Sequence, residues 1–243
     1  QAHSPLNQVT TDNVGDLRLV WSWAMRQGPQ ETTPLVHDGV LYIANPGAIV
    51  QALDAATGDM LWQYERGADA PGDSFGGPPP GGIARNIAIY QDKIYLNTAD
   101  AHVVAIDART GQEVWDADIN QGVGFQFSSG SIIADGRVVS GLTGCGRYRE
   151  ETCYIVGLDA ETGDELWRTL REDYPTWCPP TLVQTRDRTY VIANGYKEIA
   201  AYDADTGARI WWMRGGGDIP VPAPMLSHGL IYITGEHPLH SSR

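Results

Sequence analysis

Short apolar runs separated by Gly, Pro, Asn and Asp carry most of the chain. Val40–Ala44 reads VLYIA, Ile49–Leu53 reads IVQAL and Met60–Trp62 reads MLW, each next to turn residues, a pattern that predicts strands joined by tight hairpins. The pattern also repeats. Ala52–Trp62 reads ALDAATGDMLW, Ala105–Trp115 AIDARTGQEVW, Gly157–Trp167 GLDAETGDELW and Ala201–Trp211 AYDADTGARIW. In every copy an apolar strand runs into an Asp, a Thr-Gly turn follows, and a Trp closes the unit eight residues after the Asp. The Asp residues stand at 54, 107, 159 and 203, so the repeats run 53, 52 and 44 residues. A period of roughly 40–50 residues built only from short strands is the signature of β-propeller blades or related all-β arrays.

The repeated turn has a structural chemistry. Asp accepts backbone N–H bonds, and Gly supplies positive φ for a tight hairpin. Trp, large and apolar with one N–H donor, suits a slot between neighbouring blades. Asp54, Asp107, Asp159 and Asp203 are therefore expected as turn residues, because an active site needs one base and not four.

The fold expected is all-β, a propeller of four-stranded antiparallel W-type blades forming one domain over residues 1–243. The repeats fall at about 31–65, 83–118, 128–170 and 180–214, with a partial unit at 222–235. Residues 12–25, DNVGDLRLVWSWAM, read as the end of a repeat, a turn and then a strand carrying Trp21 and Trp23. Two architectures fit. One is a ring of about five blades in which residues 12–25 close the partial unit; the other is a fragment of an eight-bladed ring. Shared closing blades remove exposed sheet edges.

Charge and cysteine content narrow the function classes. A net charge of −13 disfavours a nucleic-acid surface, and no apolar run approaches the ~18 residues of a membrane span. The chain starts at Gln1, so it reads as a mature or trimmed product with no signal peptide visible. Cys145 and Cys153 flank a polar excursion, GRYREET. They are placed to close a small disulfide loop, which implies an oxidising compartment; the alternative is two buried free thiols. Cys178 is left over as a small packed residue. Arg66–Gly82, rich in Gly and Pro, reads either as a loop over a functional mouth or as a plain blade connection. His237 and His240 have a ligand-like spacing, but no carboxylate or Cys accompanies them in sequence.

Several unrepeated stretches resemble the pyrroloquinoline-quinone (PQQ) dehydrogenases, the quinoprotein alcohol dehydrogenase family, best over residues 5–170. DNVGDLRLVWSW resembles that family's opening segment and QETTPLV at 30–36 its first-blade strand. The resemblance implies that Glu31 touches the quinone. ARNIA at 84–88 resembles the second-blade strand, implying that Arg85 reaches the paired quinone oxygens. Ser128-Ser129-Gly130-Ser131 and Leu142-Thr143-Gly144-Cys145 resemble third-blade pieces, implying that Ser128, Thr143 and the Gly144 amide hold cofactor carboxylates. A planar, permanently charged Arg suits an oxygen pair. The implied cofactors are PQQ and Ca²⁺ or a lanthanide, the implied substrate an alcohol, the acceptor a cytochrome, and the location the bacterial periplasm.

The sequence also departs from that family. Where the family has two adjacent cysteines just before the Arg, this chain has PPPGG, and where the family has a metal-binding Glu, this chain has Gly146. No catalytic base or metal ligand is assigned. Residues 175–235 resemble the general PQQ-like repeat proteins, including the propeller lipoprotein of outer-membrane assembly, and those relatives often bind no quinone. Two functions follow from these likenesses: an alcohol-oxidising PQQ dehydrogenase, or a non-catalytic propeller scaffold that holds a protein partner.

Overall fold

The computed structural model describes residues 7–67, 86–119, 126–127, 129–143, 153–171, 178–195, 198–215 and 222–234. Its strands group into antiparallel sheets that follow chain order. Blade one holds β1 (Leu35–His37), β2 (Val40–Asn45), β3 (Ile49–Asp54) and β4 (Met60–Glu65). Blade two holds β5 (Ala88–Tyr90), β6 (Lys93–Asn97), β7 (His102–Asp107) and β8 (Glu113–Asp118). In blade three, β10 (Ile132–Ala134), β11 (Arg137–Thr143), β12 (Cys153–Asp159) and β13 (Glu165–Arg171) are joined by a short β9 (Gln126–Phe127) on β11. Blade four holds β14 (Thr181–Gln184), β15 (Thr189–Asn194), β16 (Glu198–Asp203) and β17 (Arg209–Arg214). The partial unit is the hairpin β18 (Met225–Ser227) and β19 (Leu230–Tyr232).

The expected propeller architecture is the observed one, and β9 is an addition to it. Residues 12–25 differ from their reading. The turn is a 3₁₀ turn at Val14–Asp16, but residues 17–26 form no strand. Leu19 and Val20 are 85% and 79% exposed, so this segment has neither ladder nor core to hold it extended. Its Trp side chains anchor it instead.

The cores lie between blades. Tyr42, Val50 and Tyr64 of blade one pack with Ile94, Val104 and Ile106 of blade two, and Tyr95 and Val103 pack with Tyr154, Val156 and Leu158 of blade three. Second and third strands are buried on both sides because a blade is covered by both neighbours, so they lack the alternation of a half-exposed strand. The four repeat turns make the joints. Asp54 Oδ1 accepts the Ala56 and Thr57 amides at 2.8 Å each, and Asp107, Asp159 and Asp203 repeat the arrangement. The two amide bonds hold the Asp54 carboxyl below its ordinary range. These four Asp residues are turn formers, as their repetition implied.

Candidate functional site

In each antiparallel blade the start of the first strand and the end of the second lie on one face of the propeller; the Asp-Thr-Gly turns lie on the other. Glu31 precedes β1, Arg85 precedes β5, Ser128 precedes β10, and Thr143 ends β11. Glu31 and Thr143 therefore belong to the face opposite the repeat turns. Glu31 itself is described and exposed. Arg85, Ser128, Gly144 and the Thr143 side chain lie outside the described residues, as do Cys145, His237, His240 and most of the Arg66–Gly82 stretch.

On the face opposite the repeat turns, the segments that lead into three first strands meet. The Thr33 amide of blade one donates to Asn86 Oδ1 of blade two at 2.7 Å. The Asn86 carbonyl oxygen in turn sits where a Cβ on Gly130 of blade three would come within 2.1 Å. Flanking Glu31, Gln30 Oε1 and Thr32 Oγ1 are buried with no hydrogen-bond partner. Such atoms are rare in folded proteins and call for a specific explanation. Both oxygens can accept a hydrogen bond and the Thr32 hydroxyl can also donate one, so a polar group placed beside them would satisfy them.

Ser129 and Ser131 belong to a buried polar network. Asn97 donates from Nδ2 to the Ser129 carbonyl at 2.9 Å and accepts on Oδ1 from the Ser131 hydroxyl at 2.5 Å. Ser131 and Ser140 hydroxyls lie 2.6 Å apart. Asn194, on the matching strand of blade four, likewise donates to the Pro222 carbonyl at 3.2 Å. Sequence reasoning missed these residues. The available signal was the recurrence of Asn at the ends of second strands, IAN at 43–45, YLN at 95–97 and IAN at 192–194.

A charged joint on the same face also escaped the sequence reading. Arg66 Nη1 donates to both Asp100 oxygens at 3.0 and 2.8 Å, and its Nε donates to Asp116 at 2.8 Å. His102 Nδ1 lies 2.7 Å from the other Asp116 oxygen. Burial pushes the Asp100 carboxyl up, but the Thr98 hydroxyl and the Arg66 guanidinium outweigh it and hold it below the ordinary range. Arg66 is thus spent on tying blade one to blade two.

Cys178 behaves as the packed residue expected of it. It is a buried free thiol that donates to the Pro222 carbonyl at 3.0 Å, and burial pushes it up to about 12. Cys153 is buried and is not a free thiol. Among the described residues no group of three or more His, Cys, Asp or Glu side chains is arranged to hold a metal ion, and no helix is long and apolar enough to cross a membrane.

Comparison with known proteins adds family to geometry. Residues 1–168 match the family model described as glucose/ethanol/alcohol dehydrogenase, beta-propeller domain. Residues 151–237 match the model of the outer membrane protein assembly factor BamB. The quinohemoprotein alcohol dehydrogenase ADH-IIG of Pseudomonas putida is 36% identical over 172 residues, covering 69% of this chain and 23% of that protein. The dehydrogenase subunit of the quinone alcohol dehydrogenase of Komagataeibacter europaeus is 32% identical over 225 residues, 89% of this chain and 29% of that protein. The crystal structure of the Comamonas testosteroni quinohemoprotein alcohol dehydrogenase superposes with a TM-score of 0.72 at 25% identity, over 87% of this chain and 39% of that one. The chain spans less than a third of the length of these curated relatives.

Proposed function

The chain belongs to the glucose/ethanol/alcohol dehydrogenase β-propeller family, and from that premise we propose that it forms part of a PQQ-dependent alcohol dehydrogenase of the bacterial periplasm. The observation that carries this reading is the meeting of Thr33, Asn86 and Gly130 on the face opposite the repeat turns, the face of Glu31. The unpartnered Gln30 and Thr32 oxygens beside Glu31 fit a polar planar cofactor there. PQQ, when bound, supplies a quinone that accepts hydride from the alcohol carbon.

The chain's own residues would bind and orient. Arg85, planar and always charged, would face the paired quinone oxygens. Ser128, Thr143 and the Gly144 amide would donate to the carboxylates, and Glu31 would fix the edge of the ring. The buried Asn97–Ser131–Ser140 network would hold that edge of the site rigid. Ca²⁺ or a lanthanide is the metal this reading expects, a cytochrome the electron acceptor, and Cys145 with Cys153 a disulfide. None of the named residues is assigned as a metal ligand or as the base.

For the architecture, a fragment of an eight-bladed ring is the reading favoured over a ring closed by residues 12–25. Trp211 supports it: it is 36% exposed where its counterpart Trp167 is 8% exposed against Gly207.

The scaffold alternative rests on the match of residues 151–237 to an outer-membrane assembly factor. Dye-linked alcohol oxidation separates the two. With PQQ and Ca²⁺ added, the dehydrogenase reading expects alcohol-dependent dye reduction. Dye reduction that stays at the no-protein level over a range of primary and secondary alcohols would favour the scaffold.

A further inference from the structure

We propose that the joint of blades three and four holds a water-binding site whose acceptor is Asn194 Oδ1, an inference independent of the PQQ reading. A cavity of about 20 Å³ lies at this joint, lined from blade three by Ser129, Gly141 and Arg171 and from blade four by Cys178 and Asn194. Asn194 ends β15 and is 2% exposed, yet its Oδ1 has no hydrogen-bond partner. Turning the amide round does not cure this. Nδ2 already donates to the Pro222 carbonyl at 3.2 Å and the Thr234 carbonyl at 3.5 Å, and a reversed amide would set oxygen against oxygen.

Blade two shows how the same place is satisfied within the chain. Asn97 ends β6 as Asn194 ends β15, and its Nδ2 serves the Ser129 carbonyl just before β10, as that of Asn194 serves Pro222 just before β18. The Oδ1 of Asn97 then accepts the hydroxyl of Ser131, two residues beyond Ser129, at 2.5 Å. Two residues beyond Pro222 stands Pro224, which has neither an N–H nor a hydroxyl. At this joint the acceptor is present and the chain's own donor is not.

The lining says what fills the place. Cys178 gives its proton to the Pro222 carbonyl at 3.0 Å, so it offers the cavity a weak acceptor at most. Ser129 and Arg171 carry donors, and among the described residues that line the cavity there is no carboxylate. A small neutral molecule is therefore favoured over a cation. A space of about 10–15 Å³ holds one water, and a buried water needs two to four polar partners; the cavity supplies both. The water donates to Asn194 Oδ1 and accepts from Ser129 or Arg171. It joins blade four to blade three, as the Ser131 hydroxyl joins blade three to blade two.

The test is a high-resolution crystal structure of the unsubstituted protein, with long-lived waters counted in solution by water relaxation dispersion. An ordered water about 2.5–3.0 Å from Asn194 Oδ1 is expected. No density at that place, or a side chain filling it, overturns the inference. So does a metal ion, recognised by oxygen distances of about 2.3–2.6 Å. In solution Asn194→Leu should lose one long-lived water. A purely structural Asn194, serving only the Pro222 and Thr234 carbonyls, would leave the count unchanged, and that result also overturns the inference. Should Asn194→Leu fail to fold, Pro224→Ser takes its place: the new hydroxyl copies Ser131 and should displace the water, lowering the count by one. An unchanged count in that variant rejects the site.

Discussion

Trp62 packs its indole so tightly against Gly111 of the next blade that a Cβ there would come within 2.7 Å of the ring. Its Nε1 donates to the Ala108 carbonyl at 3.0 Å. The same pair recurs as Trp21 with Gly58, Trp115 with Gly163 and Trp167 with Gly207. Each glycine serves twice, once for its positive φ and once for the space it leaves. Gly111 has φ of +74°, and Gly39, in a turn with nothing within 4 Å, has +77°. Gly111→Ala should therefore cost about 2–4 kcal/mol, strain and overpacking together. Gly39→Ala should cost only the strain, about 1–2 kcal/mol. Urea midpoints of the two variants decide it, and equal losses would contradict the packing role.

The Arg66–Asp100 pair makes a pH prediction. The Asp100 carboxyl is held below its ordinary value in the folded chain, first against burial and then by Thr98 and Arg66. A depressed folded pKa contributes stability that is fully present above the unfolded value, near 3.9, and is lost as pH falls through the folded value. Asp100→Asn should lower stability at pH 7 by about 1–3 kcal/mol. The gap to the unsubstituted protein should shrink below about pH 4. A gap that is constant down to pH 2.5 would show that the charge contributes nothing.

Asn97, Ser131 and Ser140 form a buried set in which each polar atom serves another. Asn97→Ala should cost about 1–3 kcal/mol, because the hydroxyls lose their buried acceptor. Combined with Ser131→Ala, the loss should fall short of the sum of the single changes by roughly 0.5–3 kcal/mol. Strict additivity in chemical denaturation would mean that the network is not coupled.

Cysteine chemistry is expected to separate the three thiols. Cys178 is buried and pushed up to about 12, so it should resist alkylation at pH 8 until the chain unfolds. With Cys145 and Cys153 paired, mass spectrometry of the native, non-reduced protein should count no alkylated cysteine, and one after denaturation. Rapid labelling of the native protein would contradict both assignments.

The sequence carried the blades because their repeat is local: the Asp-Thr-Gly turn and the Trp eight residues on announce each joint without any tertiary information. The turn role of Asp54, Asp107, Asp159 and Asp203 followed from the same repetition. Residues 17–26 misled, since Leu19, Val20 and Trp21 look like a strand, but a strand exists only where a partner edge is present. The Asn86 junction and the Arg66–Asp100–Asp116 joint were invisible because they link residues 34 to 53 apart in sequence and lie outside the repeat. Asn97 showed only as a recurring residue type. Its partners, Ser131 and Ser140, had no pattern to mark them. For Glu31, Arg85, Ser128, Thr143 and Gly144, sequence supplied the candidates by resemblance; of these, the topology adds only that Glu31 and Thr143 share one face.

The most direct test of the account is a titration of the protein with PQQ in the presence of Ca²⁺, reading the quinone absorbance and the thermal midpoint together. Specific binding should raise the midpoint by mass action, by about 2.7 kcal/mol of stability at a hundred-fold excess over the dissociation constant. The gain should disappear in Arg85→Ala while that variant keeps the midpoint of the cofactor-free protein. No spectral change and no midpoint shift at saturating cofactor would contradict the PQQ reading.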